Sequence, residues 1–128
     1  MKENKLEIQI NKPIWVVYQF CITPPNSTLW IPGVVKEETS EYPVKVGTIY
    51  FLTNNNGEIS KVTVVDLKEN QYVEWVSEDK NYHCSYTLIC ENNQTRMIYK
   101  EWVDDDQIED PFTQGVLEKL KQVIEKLS

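Results

Sequence analysis

The last part of the chain carries the clearest pattern of hydrophobic and polar positions. Between Pro111 and Leu127, apolar residues recur every three or four positions and fall on one stripe of a helix surface. The stripe consists of Phe112, Val116, Leu117, Leu120, Val123, Ile124 and Leu127. Asp110 stands directly before Pro111, where a helix N-cap residue is expected. The pattern therefore predicts one long amphipathic helix over residues 111–127, with Asp110 as its N-cap.

Most of the preceding chain alternates between apolar and polar residues, which is typical of strands with one buried face. Leu6, Ile8 and Ile10 share one face of a first strand over residues 5–10. A short helix from Pro13 to about Phe20, capped by Asn11, and a helical turn over residues 26–31 are predicted to follow. Six further strands are predicted over residues 34–39, 48–53, 58–67, 71–77, 82–90 and 95–103. Short polar turns between the last five of these strands indicate antiparallel hairpins.

This order of elements predicts an α+β fold. A curved antiparallel sheet of about seven strands would wrap round the long C-terminal helix, and the two short helices would follow the first strand. The 128 residues have the length of a single domain that spans residues 1–128. Because a curved sheet that wraps one helix can leave a cavity between the two, we expect the function to reside in such a cavity.

Composition and charge exclude several classes of partner. Hydrophobic residues make up 41% of the chain, which excludes a disordered protein. The net charge of −7, without a stripe of Lys and Arg, disfavours nucleic acid and anionic membrane surfaces. The most apolar run, residues 14–22, is too short to span a bilayer, and the N-terminal residues indicate a strand, not a signal peptide. Cys84 and Cys90 would lie about 20 Å apart on one strand and cannot pair, so we expect reduced thiols and a cytoplasmic protein.

Several short motifs follow one another along the chain. They are Ile10, Pro13 and Val17-Tyr18, then Trp30-Ile31-Pro32-Gly33, Val46-Gly47, Thr95-Arg96, and finally Leu120-Lys121 with Ile124-Glu125. In this order the chain resembles the SRPBCC, or START-like helix-grip, superfamily, which includes the polyketide cyclase/dehydrase group, lipid-transfer domains and activators of the Hsp90 chaperone. It departs from the superfamily pattern at Tyr18, where many members have Trp. The resemblance implies a helix-grip fold, and it transfers no catalytic residue because the superfamily shares no catalytic motif.

The predicted cavity and the resemblance lead to three hypotheses on function. In the first, the protein binds a lipid-like, aromatic or polyketide-like small molecule between the sheet and the C-terminal helix, without a cofactor. In the second, it is a cyclase/dehydrase-like enzyme in which Glu101 or Tyr99 transfers protons. In the third, it is a protein-interaction module like the Hsp90 activators, which predicts a filled interior and an exposed patch that includes Trp75 or Trp102. The sequence leaves open whether the protein is an enzyme.

We expect the sheet, the helix and the mouth of the cavity to share the lining. The predicted ligand-binding residues are Trp30 at the mouth, Tyr50, Tyr86, Leu88, Met97, Tyr99 and Glu101 on the sheet, and Val116, Leu120 and Ile124 on the helix. Alternation places Glu101 on the same face as Met97 and Tyr99, and a carboxyl in an apolar pocket can act as an acid or base. The alternative is that Glu101 lies in water or against a Lys near the strand end.

The remaining polar residues suggest no catalytic or metal site. His83, the only histidine, falls on the outer face of its strand, which indicates an exposed or structural role. The acidic run Asp104–Asp106, with Glu109 and Asp110 beyond it, lacks the glycine of a calcium-binding loop and is interpreted as a solvated loop. Trp102 also falls on the outer face, where an exposed indole would form a homodimer surface; a bulge would turn it inward instead, and both alternatives stay open.

Overall fold

The computed structural model describes residues 1–127 of the chain. Its strands are Glu3–Ile10 (β1), Val34–Thr39 (β2), Ile49–Asn54 (β3), Ile59–Lys68 (β4), Tyr72–Ser77 (β5), Tyr82–Glu91 (β6) and Gln94–Val103 (β7). The helices are Ile14–Ile22 (α1), the 3-10 helix Asn26–Leu29, and Gln114–Glu125 (α2). This order confirms the predicted α+β fold, and each strand begins and ends within two residues of its predicted bounds.

The strands form one seven-stranded sheet in the order β1-β7-β6-β5-β4-β3-β2. Every pair of neighbours is antiparallel, as the short turns indicate. β1 and β2 are therefore consecutive strands at opposite edges of the sheet. The segment that joins them, which contains α1 and the 3-10 helix, has to cross one face of the sheet. Register shifts between Val34 and Lys36 in β2, and between Val64 and Asp66 in β4, interrupt the ladder, and such bulges bend the strands that contain them.

The inner face of the sheet carries the core. In β7, burial alternates residue by residue, so that Met97, Tyr99 and Glu101 all lie on the inner face. Helix α2 buries Leu117, Leu120 and Ile124 completely, and it packs against β1 and α1. The predicted apolar stripe of this helix is therefore its buried face. The helix lies beside β1, at one edge of the sheet, whereas α1 contacts β6 and β7 and the 3-10 helix contacts β2 at the other edge.

The predicted start of the C-terminal helix is wrong by three residues. α2 begins at Gln114, and Thr113 occupies the N-cap position with extended backbone angles. Asp110, the predicted N-cap, has a φ of 48°, which belongs to a turn. The backbone N–H of Phe112 donates a 2.8 Å hydrogen bond to Glu101 Oε2. This bond holds residues before α2 against the inner face of the sheet.

The short helices also differ from their predicted bounds. α1 begins at Ile14, one residue after the predicted start, and continues to Ile22, two residues beyond the predicted end. Pro13, and not the predicted Asn11, occupies the N-cap position with extended backbone angles. The second helical turn is a 3-10 helix that ends at Leu29, two residues before the predicted end. Within the described part of the chain, no helix is both long and apolar enough to cross a membrane.

Candidate functional site: an aromatic pocket

A pocket of about 180 Å³ opens between the inner face of the sheet and the segment that joins β1 to β2. Its lining consists of Cys21, Ser27, Trp30, Ile31, Glu37, Tyr50, Leu52, Val62, Trp75, Tyr82, Cys84, Tyr86, Tyr99 and Phe112. β2 to β7 provide most of these residues, and Phe112 comes from the loop before α2. The wall opposite the sheet is thus formed by α1, the 3-10 helix and this loop.

Four aromatic rings of the lining form a closed circuit of contacts. The indole of Trp30 lies 6.2 Å from the ring of Tyr86 and 5.9 Å from that of Phe112. Tyr86 in turn lies 5.8 Å from Tyr99, whose ring stacks on Phe112 at 4.7 Å with planes only 7° apart. Each ring therefore contacts two others, and the circuit joins three distant segments of the chain. Edge and offset contacts of this kind add to the stabilisation that burial provides.

Trp75 extends the circuit towards the other side of the pocket. Its indole packs edge-on against Tyr86 at 4.9 Å and against Tyr50 at 5.6 Å. We call the six residues Trp30, Tyr50, Trp75, Tyr86, Tyr99 and Phe112 the aromatic cage. Because each of the six packs against at least one other ring, their side chains have little freedom to collapse into the pocket.

Two buried polar atoms of the lining have no hydrogen-bond partner within residues 1–127. They are the indole Nε1 of Trp75, a residue that is only 6% exposed, and Oγ of Ser27. The hydroxyl of Tyr50, by contrast, donates a 2.5 Å hydrogen bond to the carbonyl oxygen of Ile22 at the end of α1. Buried donors without a partner are rare because their desolvation is costly. The wall of the pocket therefore contains an indole N–H, that of Trp75, without a hydrogen-bond partner in the described part of the chain.

Glu37 is the one carboxylate of the pocket lining. It lies on β2 and is 9% exposed, and its Oε1 accepts a 3.2 Å hydrogen bond from the backbone N–H of Ser27. Burial raises the pKa of this carboxyl, and the polar groups of Ser27 partly oppose the shift. Burial also raises the pKa of Tyr50 and of Tyr86, to which the negative charge of Glu37 contributes. The carboxylate is therefore close enough to both tyrosines to influence them.

A second buried carboxylate lies beside the pocket but outside its lining. Glu101 is 1% exposed, and its Oε1 accepts a 2.6 Å hydrogen bond from the hydroxyl of Tyr82. Its Oε2 accepts hydrogen bonds of 2.8 Å from Asn4 Nδ2 and from the backbone N–H of Phe112. Burial raises the pKa of both Tyr82 and Tyr99, so their hydroxyls keep their protons at neutral pH. Glu101 thus fastens β1, β6 and the loop before α2 to β7.

Two cysteines contribute thiols to the lining. Burial raises the pKa of Cys21 and that of Cys84 to about 12. Thiols with such pKa values stay protonated and are poor nucleophiles at neutral pH. All three cysteines are free, and Cys90, near the end of β6, is exposed. The two pocket thiols therefore act as small apolar wall groups.

The structure brings some of the predicted ligand-binding residues together and separates others. Trp30, Tyr50, Tyr86 and Tyr99 line the pocket, and Glu101 lies directly beside it. The remaining predicted residues lie in the hydrophobic core, away from the pocket lining: Leu88, Met97, Val116, Leu120 and Ile124. The helix residues among them pack α2 onto the sheet.

Several lining residues carry no clear sequence signal. Glu37 stands between Lys36 and Glu38 in a strand whose only apolar residues, Val34 and Val35, lie at the bulge. Val35 is 56% exposed although Glu37 is buried, so a simple alternation would assign the wrong residues to the inner face. The sequence pattern places Phe112 on the apolar stripe of the C-terminal helix, whereas in the structure it precedes α2 and lines the pocket. The double Pro24-Pro25 and the Trp-Ile-Pro-Gly motif do mark the irregular segment that contains Ser27 and Trp30.

Trp75 and Trp102 lie on opposite faces of the sheet. Trp75, considered above as part of an exposed patch, is buried in the pocket wall, so this expectation is wrong. Trp102 lies half-buried on the outer face, as its strand parity indicates, and stacks on His83 at 5.0 Å. His83 Nε2 also lies 2.9 Å from a carboxylate oxygen of Asp104. The outer face therefore carries an aromatic contact and a hydrogen bond that join β6, β7 and the acidic loop.

Comparisons with known proteins identify the fold. No protein-family model matches the chain, and no curated protein matches its sequence. The solution structure of the Aha1 dimer from Colwellia psychrerythraea is similar, with a TM-score of 0.71 and 20% identity over 98% of both chains. A crystal structure of a protein from Mesorhizobium loti gives a TM-score of 0.74 with 14% identity over 99% of both chains. A protein of unknown function from Enterococcus faecalis gives 0.75 with 17% identity, over 97% of this chain and 71% of that one.

These similarities confirm the predicted fold, a curved antiparallel sheet with a C-terminal helix. At identities of 20% and below they concern the fold alone, and one fold supports many functions. The function has to be argued from the pocket itself.

Proposed function

We propose that this protein binds a small, largely apolar molecule, about one aromatic ring in size, in the pocket walled by the aromatic cage. The observation that carries the proposal is the pocket itself, a volume of about 180 Å³ with the six residues of the aromatic cage in its lining. A shift of the Trp75 indole on binding would bring its buried, unpartnered Nε1 donor to an acceptor atom of the bound molecule. The cage supplies the apolar contacts, since aromatic side chains with a few polar groups are typical of ligand sites.

The size of the pocket supports a one-ring ligand. A dry cavity of about 150 Å³ is enough to bind benzene, and this pocket has about 180 Å³. Pockets for drug-sized ligands are larger, at about 300–1,000 Å³. An aromatic ligand of one ring therefore fits better than an extended lipid or a multi-ring polyketide, which were the other classes that the sequence suggested.

Burial of such a ligand predicts a modest affinity. A ring that loses about 200 Å² of apolar surface to the cage gains about 5 kcal/mol before the costs of association. The unfavourable entropy of binding removes part of this gain, and the hydrogen bond to Trp75 restores some of it. Because the net gain is smaller than about 5 kcal/mol, we expect dissociation constants between about 0.2 mM and about 10 mM for simple one-ring probes.

The four tryptophans allow a direct test by NMR. We would titrate the ¹⁵N-labelled protein with benzyl alcohol and follow the indole N–H signals. The signals of Trp30 and Trp75 should shift with saturation, whereas those of Trp15, which is exposed on α1, and of Trp102 on the outer face should not. If no indole signal shifts with any one-ring probe, or if all four shift in parallel, the proposal is wrong.

A pair of variants on β4 locates the site. Val62 lines the pocket, whereas Val65 on the same strand is exposed. Val62→Phe should fill part of the pocket and weaken the binding of benzyl alcohol by at least about tenfold, because a pocket of this size has no room for a second ring. Val65→Phe, the matched control, should leave the affinity unchanged. Equal affinities in the two variants would place the binding site elsewhere.

The other two hypotheses receive less support from the geometry. A cyclase/dehydrase-like mechanism through Glu101 needs a carboxyl that can exchange protons with a substrate, yet both oxygens of Glu101 accept hydrogen bonds from within the protein. An Hsp90-activator-like module predicts a filled interior, whereas the inner face of this sheet carries a pocket. A homodimer formed through the outer face near Trp102 stays a prediction.

A further inference from the structure

The carboxylate of Glu37 lacks a cationic partner. Its recorded hydrogen bond comes from the backbone N–H of Ser27, and no Lys, Arg or His of residues 1–127 contributes to the pocket lining. The neighbouring ion pair of β2, between Lys36 and Glu38 at 3.3 Å, involves exposed side chains. A buried carboxylate that is stabilised by the polar groups of Ser27 but by no cation is costly because it has lost its hydration without gaining a counter-charge. A cation that enters the pocket would therefore be stabilised there.

The aromatic cage offers a second attraction for the same charge. The faces of Trp and Tyr rings attract cations, most strongly where water is excluded. Tyr50 and Tyr86 belong to the cage and line the same pocket as Glu37. Because this pocket has a volume of only about 180 Å³, one bound group can contact both the carboxylate and a ring face. The net charge of −7 further raises the local concentration of cations round the protein.

From these contacts we infer that the ligand is an organic cation, in which one ring or a compact apolar body carries a protonated amine. The ammonium group binds to the carboxylate of Glu37, and the apolar body packs within the aromatic cage. A hydroxyl, ether or carbonyl oxygen on the same molecule would accept a hydrogen bond from Trp75 Nε1, which otherwise stays unpartnered. The inference rests on the proposed function, because it specifies the chemical class of the ligand for the same pocket.

Three probes of one shape and different charge test the inference. Benzylamine is cationic at neutral pH, benzyl alcohol is neutral and benzoate is anionic, and all three carry one ring. We would measure their dissociation constants from the Trp30 and Trp75 indole signals. Benzylamine should bind at least about tenfold more tightly than benzyl alcohol, and benzoate should bind most weakly. Equal affinities of benzylamine and benzyl alcohol, or tighter binding of benzoate, overturn the inference.

A matched pair of variants assigns the preference to one carboxylate. Glu37→Gln keeps the shape of the side chain and an oxygen that can accept the Ser27 N–H, so it should fold. It should abolish the preference for benzylamine over benzyl alcohol, whatever its effect on the affinity for the neutral probe. Glu38→Gln, on the exposed side of the same strand, should keep the preference in full. Retention of the preference in Glu37→Gln overturns the assignment.

The design separates this inference from the proposed function. If the neutral probe binds in the pocket and the cationic probe has no advantage, the proposed function stands and the inference is wrong. If none of the three probes shifts the Trp75 signal, both are wrong. The comparison of the three probes on the unmodified protein decides the matter even if Glu37→Gln fails to fold.

Discussion

The hydroxyl of Tyr82 donates a 2.6 Å hydrogen bond to Glu101 Oε1, and this bond joins the first residue of β6 to a buried carboxylate of β7. The same carboxylate accepts hydrogen bonds from Asn4 of β1 and from the backbone of Phe112. Because Phe112 is part of the aromatic cage, Glu101 fixes one wall of the pocket without lining it. Buried networks of this kind are strong when every member is satisfied, and they weaken sharply when one member is lost.

Replacement of Glu101 should therefore destabilise the fold. A Gln side chain keeps one acceptor oxygen but places an amide N–H₂ group against donors of Tyr82, or of Asn4 and Phe112. We expect Glu101→Gln to lower the free energy of unfolding by about 2–4 kcal/mol, measured by urea denaturation. Glu109→Gln, in the exposed loop before α2, is the control and should change it by less than about 0.5 kcal/mol. A loss equally small in Glu101→Gln would contradict the role assigned to this network.

Tyr50 should stabilise the end of α1. Its hydroxyl donates to the carbonyl oxygen of Ile22, one of the terminal carbonyls that a helix leaves without an internal partner. We expect Tyr50→Phe to lower the free energy of unfolding by about 1–2 kcal/mol, because the buried carbonyl loses its partner. Tyr42→Phe removes a hydroxyl from a tyrosine that is largely exposed, and it should have no measurable effect. An unchanged stability in Tyr50→Phe would show that the carbonyl finds another donor.

The packing of α2 onto the sheet should depend on its fully buried residues. Leu120 has no exposed surface, whereas its neighbour Lys119 points to solvent. We expect Leu120→Ala to lower the free energy of unfolding by about 2–5 kcal/mol, because it removes buried apolar contacts and leaves a cavity. Lys119→Ala should change it by less than about 0.5 kcal/mol, since Ala is a good helix former. Similar values for both variants in thermal or urea unfolding would contradict this packing.

Much of the fold could be predicted from the sequence because strand alternation and turn residues are local signals. Residues 94–103 alternate between buried and partly exposed positions without interruption, so their pattern assigns Met97, Tyr99 and Glu101 to the inner face. The turn over residues 54–57 could be predicted because glycine is favoured where the backbone needs a positive φ. In the structure Gly57 has a φ of 80°. The amphipathic stripe of α2 identified its buried face for the same reason.

The pocket could be predicted only in part because its position depends on interactions between distant segments. The apolar stripe of α2 shows which side is buried, but not that β1 and α1 cover it. The sequence therefore predicts that Leu120 and Ile124 line a cavity, whereas in the structure they lie in the hydrophobic core. Glu37 was missed because the bulge between Val34 and Lys36 breaks the alternation of β2. Trp30, Tyr50 and Tyr86 were found because large aromatic residues on an inner face line a cavity wherever one forms.

The cysteines should differ strongly in reactivity. Burial raises the pKa of Cys21 and Cys84 to about 12, so at about pH 8 their thiolate fraction is about a thousandfold smaller than that of an ordinary thiol. Cys90 is exposed and lies outside the pocket lining. Iodoacetamide should therefore modify Cys90 first, as peptide mass spectrometry would show, and the other two only when urea unfolds the protein. Rapid modification of Cys84 in the folded protein would contradict the burial of its thiol.

The buried carboxylate of Glu37 should make the protein less stable at neutral pH than a neutral side chain would. Burial raises its pKa in the folded state above that in the unfolded chain, so protonation favours folding. This contribution is fully present below the unfolded pKa of about 4.3 and is lost as the pH rises through the higher folded pKa. The neighbouring titratable groups of the pocket, Cys21 and Tyr50, stay neutral throughout this range because their pKa values are raised.

Glu37→Gln should therefore unfold at higher urea than the unmodified protein at about pH 7, and this advantage should shrink towards about pH 4. Glu38→Gln, whose side chain is exposed, should show no such change with pH. If the advantage of Glu37→Gln is absent at neutral pH, or grows as the pH falls, the carboxylate of Glu37 is not held at a cost that a cationic ligand could offset.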